Sequence, residues 1–470
     1  MTSATSILLR LAAVFAACLF ATSAQEAPDG AAPAPAAAHT RPNVVVVVID
    51  DMAWEDVFSV PMPELQALIA KGRTYESFYV DPVCSPSRYA LQFGRRGSRD
   101  GIVGALTLFE NSTVGTSRDR RSVADALHDS GYATALFGKW HLSTRREFPA
   151  RTGPESLLDC VRDFGYEHWY AGNATNLGRG ASYSHADWLR IDDGVEARSR
   201  EYASLAVVDA FTRWWVADEE RPRFAVVNLF APHEPFTHPP KELIENGHAY
   251  PATDRDAYEN ALVAVDTLIG RIAASVDTTN TYLFLLADNG TPKNVPPPDA
   301  KSRGYKHSVW QGGINVPLVA LGPSVVHGLS KHLAHVVDVP ATLLELCGAP
   351  AEPSFEDSRS FAASLVGDAP PREPVVVLAR QRRLGSPLLT AVIDSDGWKF
   401  VDTTTEQFLF DLSKDPFEAA PVDDPERKAA LLELARTVGG PSFDKRFERM
   451  KDELEGLKGG ESRPPADDDR

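Results

Sequence analysis

At 470 residues, 43% hydrophobic and 24% charged, the chain has a globular composition that can bury one large core and a smaller one, which excludes a fibrous or mainly disordered protein. The formal charge of −17 excludes broad attraction to nucleic acid or an anionic membrane, so any anion recognised must be held by a local cluster of cations.

The chain opens on Leu11–Phe20, an apolar core followed by the small residues Ala21-Thr22-Ser23-Ala24. This predicts a secretory signal peptide over 1–24 and a secreted or periplasmic protein. Cys18 has a faint lipoprotein-site context, but the segment stays apolar beyond it, as an ordinary signal core does. No later run supplies the roughly twenty apolar residues that a membrane span needs. Cleavage leaves Cys84, Cys160 and Cys347, too few for a disulfide framework; a Cys160–Cys347 bridge stays open. The sequons at Asn111 and Asn173 matter only in an organism that glycosylates.

Residues 25–41 form an Ala/Pro-rich spacer. Val44–Ile49 is an unbroken β-branched run, expected of a strand buried on both faces in a parallel sheet. Helical spacing follows at 62–71 and 122–130, the latter stopped by Gly131, then a strand at 133–137. The alternation recurs as strand 224–230, helix 258–274 and strand 281–287. This predicts an α/β catalytic domain over 42–370, with a large mixed, mostly parallel sheet between helices. Past Pro370 come short strands at 375–378, 388–393, 398–401 and 407–410 and a helix at 424–438. They predict a smaller antiparallel-sheet α+β subdomain over 371–458. Residues 459–470 read as a disordered tail.

Two of the predicted strands end in acid: Val44–Ile49 runs into Asp50-Asp51, and 281–287 into Asp288-Asn289-Gly290. In α/β sheets ligands bind beyond the carboxyl ends of strands, so the two pairs can converge as hard oxygen ligands for Ca²⁺ or Mg²⁺. Taken singly, Asp50 could instead cap a helix and Asp288-Asn289-Gly290 be a turn. Between them, Pro86 predicts a helix start that puts Cys84 at a helix N-terminus, with Arg88 one turn on. An unmodified Cys84 could be a low-pKa thiolate, but the phosphatases that use one carry Arg six positions later, where this chain has Ala90. A buried structural cysteine is the other alternative.

Cys84-Ser85-Pro86-Ser87-Arg88, with Leu91 and Gly94-Arg95, resembles the signature of formylglycine-dependent type I sulfatases of the alkaline phosphatase superfamily. Further blocks that resemble the family follow in its order: Asp50-Asp51 with Asp56, Gly138-Lys139-Trp140-His141, Ala231-Pro232-His233, Asp288-Asn289-Gly290, Lys306 through Gln311-Gly312-Gly313, and Phe410-Asp411-Leu412 to Asp415-Pro416. The resemblance implies a sulfuric ester hydrolase in which Cys84 becomes formylglycine, matured by a formylglycine-generating enzyme. One Ca²⁺, in preference to Mg²⁺, would be held by Asp50, Asp51, Asp288, Asn289 and the modified Cys84. A hydroxyl of the hydrated aldehyde would attack sulfur and release the alcohol; loss of the second hydroxyl's proton would then re-form the carbonyl and expel sulfate. By the same resemblance Arg88 and Lys139 bind the nucleophile or a sulfate oxygen, His141 orients it and acts as base, and His233 and Lys306 grip sulfate and assist the leaving oxygen. Lys139 and His141 would share a face if the chain there is extended.

This chain departs from the family pattern at Gln311, Ala53 and Glu55, and 96–104 lacks a His often found there. The nearest alternative keeps the site and changes the substrate: a formylglycine-dependent phosphonate monoester hydrolase or phosphodiesterase. A non-catalytic secreted binding protein of the same fold is a second. The expected substrate is a sulfated carbohydrate or an aryl sulfate, with no nucleic acid partner. Segments 160–200 and 292–305 are expected to wall the pocket. Trp169, Tyr170, Tyr183 and Trp188 either stack on a ring or belong to the core, and His185 and His307 are weaker candidates for the pocket.

Overall fold

The computed structural model describes residues 41–106, 119–142, 161–172, 188–192, 195–199, 201–236, 238–245, 251–380 and 388–439. The signal peptide, nearly all of the spacer, Asn111, Cys160, Asn173, Tyr183, His185 and the C-terminal tail lie outside them.

Burying a valine or isoleucine side chain contributes about 1.5–3 kcal/mol, so the β-branched run after the spacer is driven to the centre of the molecule. Asn43–Ile49 is indeed a central strand, and Val44 to Ile49 are at most 1% exposed. It pairs in parallel with Thr281–Ala287 on one side and Arg223–Asn228 on the other, and parallel pairing continues to Ala133–Gly138 and His168–Gly172. Shorter strands complete a mixed sheet of ten among the described residues: Leu318–Leu321 and Arg73–Tyr75, each paired antiparallel, then Gly328–Ser330, parallel to Arg73–Tyr75, beyond Thr281–Ala287, and the antiparallel Trp188–Asp192 and Val195–Ser199 at the far end. These edge strands are short, and the sequence pattern does not announce them.

Helices Pro63–Lys71, Ala203–Trp215 and Asp254–Ser275 pack together as one group, and Cys84–Phe93, Val123–Asp129 and Val339–Leu346 as another. Local chemistry starts several of them. Ser122 caps Val123–Asp129 by accepting from the Asp125 amide while the Asp125 carboxylate accepts from the Ser122 amide. Gly94, at φ 54°, ends the Cys84–Phe93 helix in a left-handed turn.

The four antiparallel strands Val375–Arg380, Leu388–Ile393, Trp398–Asp402 and Gln407–Asp411 form the separate C-terminal sheet. Alternation divides their side chains. Val375, Val377, Ala391, Val401 and Phe410 pack with Tyr79, Val309 and Ile314 of the main body, whereas Val376, Val392, Phe400 and Leu409 pack beneath helix Pro425–Gly439. Trp169 and Tyr170 are buried in the main core. Cys347 is buried and free. Among the described residues no helix is long and apolar enough to cross a membrane.

Candidate active site

The register of the central strands builds the site. Ile49 lies beside Ala287, and Val48 lies beside Asn228, which in turn faces Gly138. The residues that follow, Asp50, Asp288 and Lys139, therefore leave the carboxyl edge of the sheet on adjacent rungs. The loop after Arg223–Asn228 adds His233, and helix Cys84–Phe93 brings Cys84 with its N-terminus. Asp50, Asp51, Cys84 and His233 each offer one ligand atom within 4.8 Å of the others, and all four are buried. Asp51 sits at φ 76°, a conformation rare for a residue with a side chain, and its amide donates to Asp288 Oδ1 at 3.2 Å.

Buried cations balance the acids. Lys139 Nζ donates to Asp50 Oδ2 at 2.5 Å, and Lys306 Nζ to Asp51 Oδ1 at 2.6 Å and Oδ2 at 2.8 Å. Arg88 places Nε 2.9 Å and Nη2 2.8 Å from Asp288 Oδ2, and its Nη1 donates to the Lys139 carbonyl. Burial alone would raise Asp50, but Lys139, His233 and Arg88 hold its carboxyl far below the usual range. Burial and the Asp50 charge raise Asp288. Burial lowers Lys306, yet Asp51 outweighs it and keeps the ammonium charged. The Cys84 thiol, 3.6 Å from Asp50 Oδ1, is pushed up to about 12 by burial, although Lys139 and Lys306 pull the other way. A thiol in this position stays protonated near neutral pH and is a poor nucleophile.

Both candidate histidines have defined tautomers. His141 Nε2 lies 3.0 Å from the Leu106 carbonyl, which can only accept, so the proton is on Nε2. Its Nδ1 is then a bare lone pair, buried and without a hydrogen-bond partner. Burial, with Lys139 and Arg88, holds this ring well below the ordinary imidazole range. His233 Nδ1 lies 2.6 Å from the Glu234 carbonyl, and its Nε2 is 3.8 Å from Asp51 Oδ2.

A family model described as Sulfatase matches residues 42–349. The chain belongs to the sulfatase family. Among curated relatives, the N-acetylgalactosamine-6-sulfatase of Canis lupus familiaris is 27% identical over 373 residues, 72% of this chain and 68% of the relative. The same enzyme of Sus scrofa is 28% identical, over 62% of its length. The arylsulfatase of Klebsiella aerogenes is 29% identical over 67% of this chain and 88% of its own. The solved structure of Ps i-CgsB with k-i-k-neocarrahexaose superposes with a TM-score of 0.72 at 22% identity, covering 86% of this chain and 93% of that one. The phosphonate monoester hydrolase of Agrobacterium radiobacter shares the fold at a TM-score of 0.59 and 18% identity, covering 85% and 95%.

In this sulfatase chain the donor set fits a hard divalent cation. Asp50 and Asp51 converge with Cys84 and His233, Asp288 adjoins them through the Asp51 amide, and Asn289 donates from Nδ2 to Asp51 at 2.6 Å while its Oδ1 is buried with no hydrogen-bond partner. A buried amide oxygen beside carboxylates is what an oxygen-seeking cation takes up. His233 belongs to the same cluster, a place beside the acids that its expected roles, gripping sulfate and assisting the leaving oxygen, do not include. The extended chain that would put Lys139 and His141 on one face is not present: the strand ends at Gly138 and His141 is left-handed at φ 61°. Ser85 instead holds that turn, donating to the His141 carbonyl and accepting from the Leu106 amide, each at 2.9 Å.

The supports of this sulfatase site are less visible in sequence. Asp56 accepts from Ala53 N, Tyr258 Oη and Thr291 Oγ1 and pairs with Arg255 at 3.0 Å, so it ties the Asp50-Asp51 turn to the Asp288–Thr291 turn. Gly290 is needed by contact: a Cβ there would lie 1.9 Å from the Gly312 carbonyl oxygen. His307, also left-handed at φ 75°, donates its amide to the Pro82 carbonyl just before Cys84.

Proposed function

We propose that this chain hydrolyses sulfate monoesters of a sugar or an aryl alcohol, with Cys84 converted to formylglycine and one calcium ion held by Asp50, Asp51, Asp288 and Asn289. The observation that carries the reading is the environment of Cys84. It combines a helix N-terminus, two lysines and an arginine suited to an anionic ester with burial that leaves an unmodified thiol protonated. Formylglycine supplies, as its hydrate, a hydroxyl nucleophile whose carbon carries the second hydroxyl needed for release, and calcium supplies the charge that lowers the proton affinity of such a hydroxyl.

The remaining tasks fall to the chain's own side chains. Arg88, clamped by Asp288, and Lys139 present fixed positive charge to the sulfate oxygens. The bare Nδ1 of His141 accepts the proton that must leave position 84, and its low proton affinity keeps it unprotonated beforehand. Lys306 stands on the Asp51 side and stabilises the departing oxygen, and His233 joins it when Nε2 carries a proton. The names of the N-acetylgalactosamine-6-sulfatases support a sulfated sugar as substrate. The leader at 1–24 supports export, and maturation by a formylglycine-generating enzyme follows from the modification.

Mass spectrometry of the peptide ending at Arg88, from protein made in its native host, tests the nucleophile; an unmodified thiol there overturns the proposal. Rates on p-nitrophenyl sulfate against a p-nitrophenyl phosphonate monoester test the substrate class, and preference for the phosphonate would transfer the same site to the phosphonate hydrolases.

A further inference from the structure

Lys306 stands on a loop, 303–313, that the main body holds by backbone bonds to the 288–291 turn and by His307 N to the Pro82 carbonyl. Lys306 N donates to the Thr291 carbonyl and Gly290 N to the Gly313 carbonyl. On its other side the loop meets the C-terminal unit. Arg303 N donates to the Phe417 carbonyl, its guanidinium lies 3.8 Å from the Trp310 ring centre and 4.8 Å from that of Phe408, and Trp310 packs edge-on against Phe408 and Phe410. At the centre of this contact lies an ion pair with no exposure of either side chain: Lys399 Nζ is 2.7 Å from Glu418 Oε1. Both partners also bind Gln311. Glu418 Oε2 accepts from the Gln311 amide at 2.7 Å, and Lys399 Nζ donates to Gln311 Oε1 at 3.2 Å.

Two features set this pair apart from ordinary packing. Burying both charges costs about as much as their attraction returns, so such a pair is a poor source of net stability. Glu418 also holds a left-handed backbone at φ 60°, a conformation that is unfavourable for a residue with a side chain. That turn is itself clamped, because the Asp415 carboxylate accepts from the amides of Ala419 and Ala420.

We infer that Lys399 and Glu418 are positioning residues for Lys306: the C-terminal unit clasps Gln311 and so fixes the loop that sets the Lys306 ammonium against Asp51. The chain of contacts is continuous. The clasp fixes Gln311, Gly312 N donates to the Arg303 carbonyl across the neck of the loop, and Lys306 lies within the loop so closed, its own amide on the Thr291 carbonyl and that of His307 on the Pro82 carbonyl. The inference rests on the reading that Lys306 grips the anionic ester.

The test is a double-mutant cycle on the full chain. The variant Lys399→Met/Glu418→Ala is made with Lys306 present and with Lys306→Ala, and each is assayed well below its own unfolding midpoint. Two readouts are taken: kcat/KM on p-nitrophenyl sulfate and on a p-nitrophenyl phosphonate monoester, and the Kd of inorganic sulfate by calorimetry. With Lys306 present, removal of the pair is expected to lower kcat/KM on the preferred ester, and to weaken sulfate binding, by tenfold or more. On the Lys306→Ala background the further loss is expected to be less than twofold. Equal losses on both backgrounds, or a folded pair-less variant within twofold of wild type, would overturn the inference. If the pair-less chain fails to fold, Lys399→Met alone takes its place in the same cycle, since burial already raises Glu418 towards its neutral form. A wild-type chain that turns over neither ester but shows the coupling in sulfate binding removes the hydrolase reading and leaves the clasp standing. One that does neither removes both.

Discussion

Lys306 donates to both carboxylate oxygens of Asp51, at 2.6 and 2.8 Å, in a site where both side chains are buried. That contact and the Lys139–Asp50 pair partly neutralise carboxylates that would otherwise repel one another, the task a divalent cation performs more completely. Chelator-treated protein is therefore expected to gain about 2.7 kcal/mol of stability when calcium is raised to one hundred times its Kd. Asp51→Asn should weaken calcium binding at least a hundredfold by calorimetry. No change in unfolding midpoint on adding calcium would contradict the metal assignment.

Arg88 and Asp288 form a buried pair in which the guanidinium uses Nε and Nη2 on one oxygen. Arg88→Ala leaves Asp288 and Asp50 without that counter-charge and should cost roughly 3–5 kcal/mol in denaturant unfolding. Arg88→Lys keeps the charge and loses the fork, so its stability loss should be smaller while kcat still falls a hundredfold or more.

His141 has a fixed tautomer and a bare Nδ1, so it is the side chain prepared to accept a proton. His141→Gln keeps a side chain of similar reach and removes the base; kcat should drop by about 10²–10⁴ with little change in KM. A kcat within threefold of wild type would reassign the base.

Gly290 brings the Asp288–Thr291 turn against the Gly312 carbonyl. Gly290→Ala forces two site loops apart, and is expected to weaken calcium binding and lower kcat/KM together. Normal calcium affinity in this variant would show that the contact can yield.

Asp81 is buried, its Oδ2 makes no hydrogen bond, and burial raises its carboxyl to about 7 despite Arg96. Its folded pKa thus lies above the ordinary aspartate value of 3.8, and between these two values the folded state binds more protons than the unfolded one. Stability should fall as pH rises from about 4 to 7, by up to about 1.4 kcal/mol per unit, and level off above. Asp81→Asn should remove this slope and stabilise the protein at pH 8. Parallel pH profiles of unfolding free energy for variant and wild type would refute the account.

The main elements were legible because their patterns are local. The β-branched run at 44–49, the helical spacing at 122–130 with its Gly131 stop and the short apolar run at 375–378 each declare one element, and Pro86 marks the helix that carries Cys84. Short edge strands such as Gly328–Ser330 were not, because so few residues carry no period. Lys399 offered a faint signal, a charge between Trp398 and Phe400 in an apolar strand, but only its contacts explain it.

The sequence by itself determined which chemically able residues are present and the order in which they occur: acids after two strands, a cysteine at a helix start, and cations in the blocks between and beyond. Tertiary structure alone decided their distances. Parallel register brought Asp50 beside Asp288 and set Lys139, two strands away, within reach of Asp50, although these positions lie far apart along the chain. It also decided the protonation of the site, since burial is a property of the whole fold: the same Cys84 is an ordinary thiol in an unfolded chain and an inert one here.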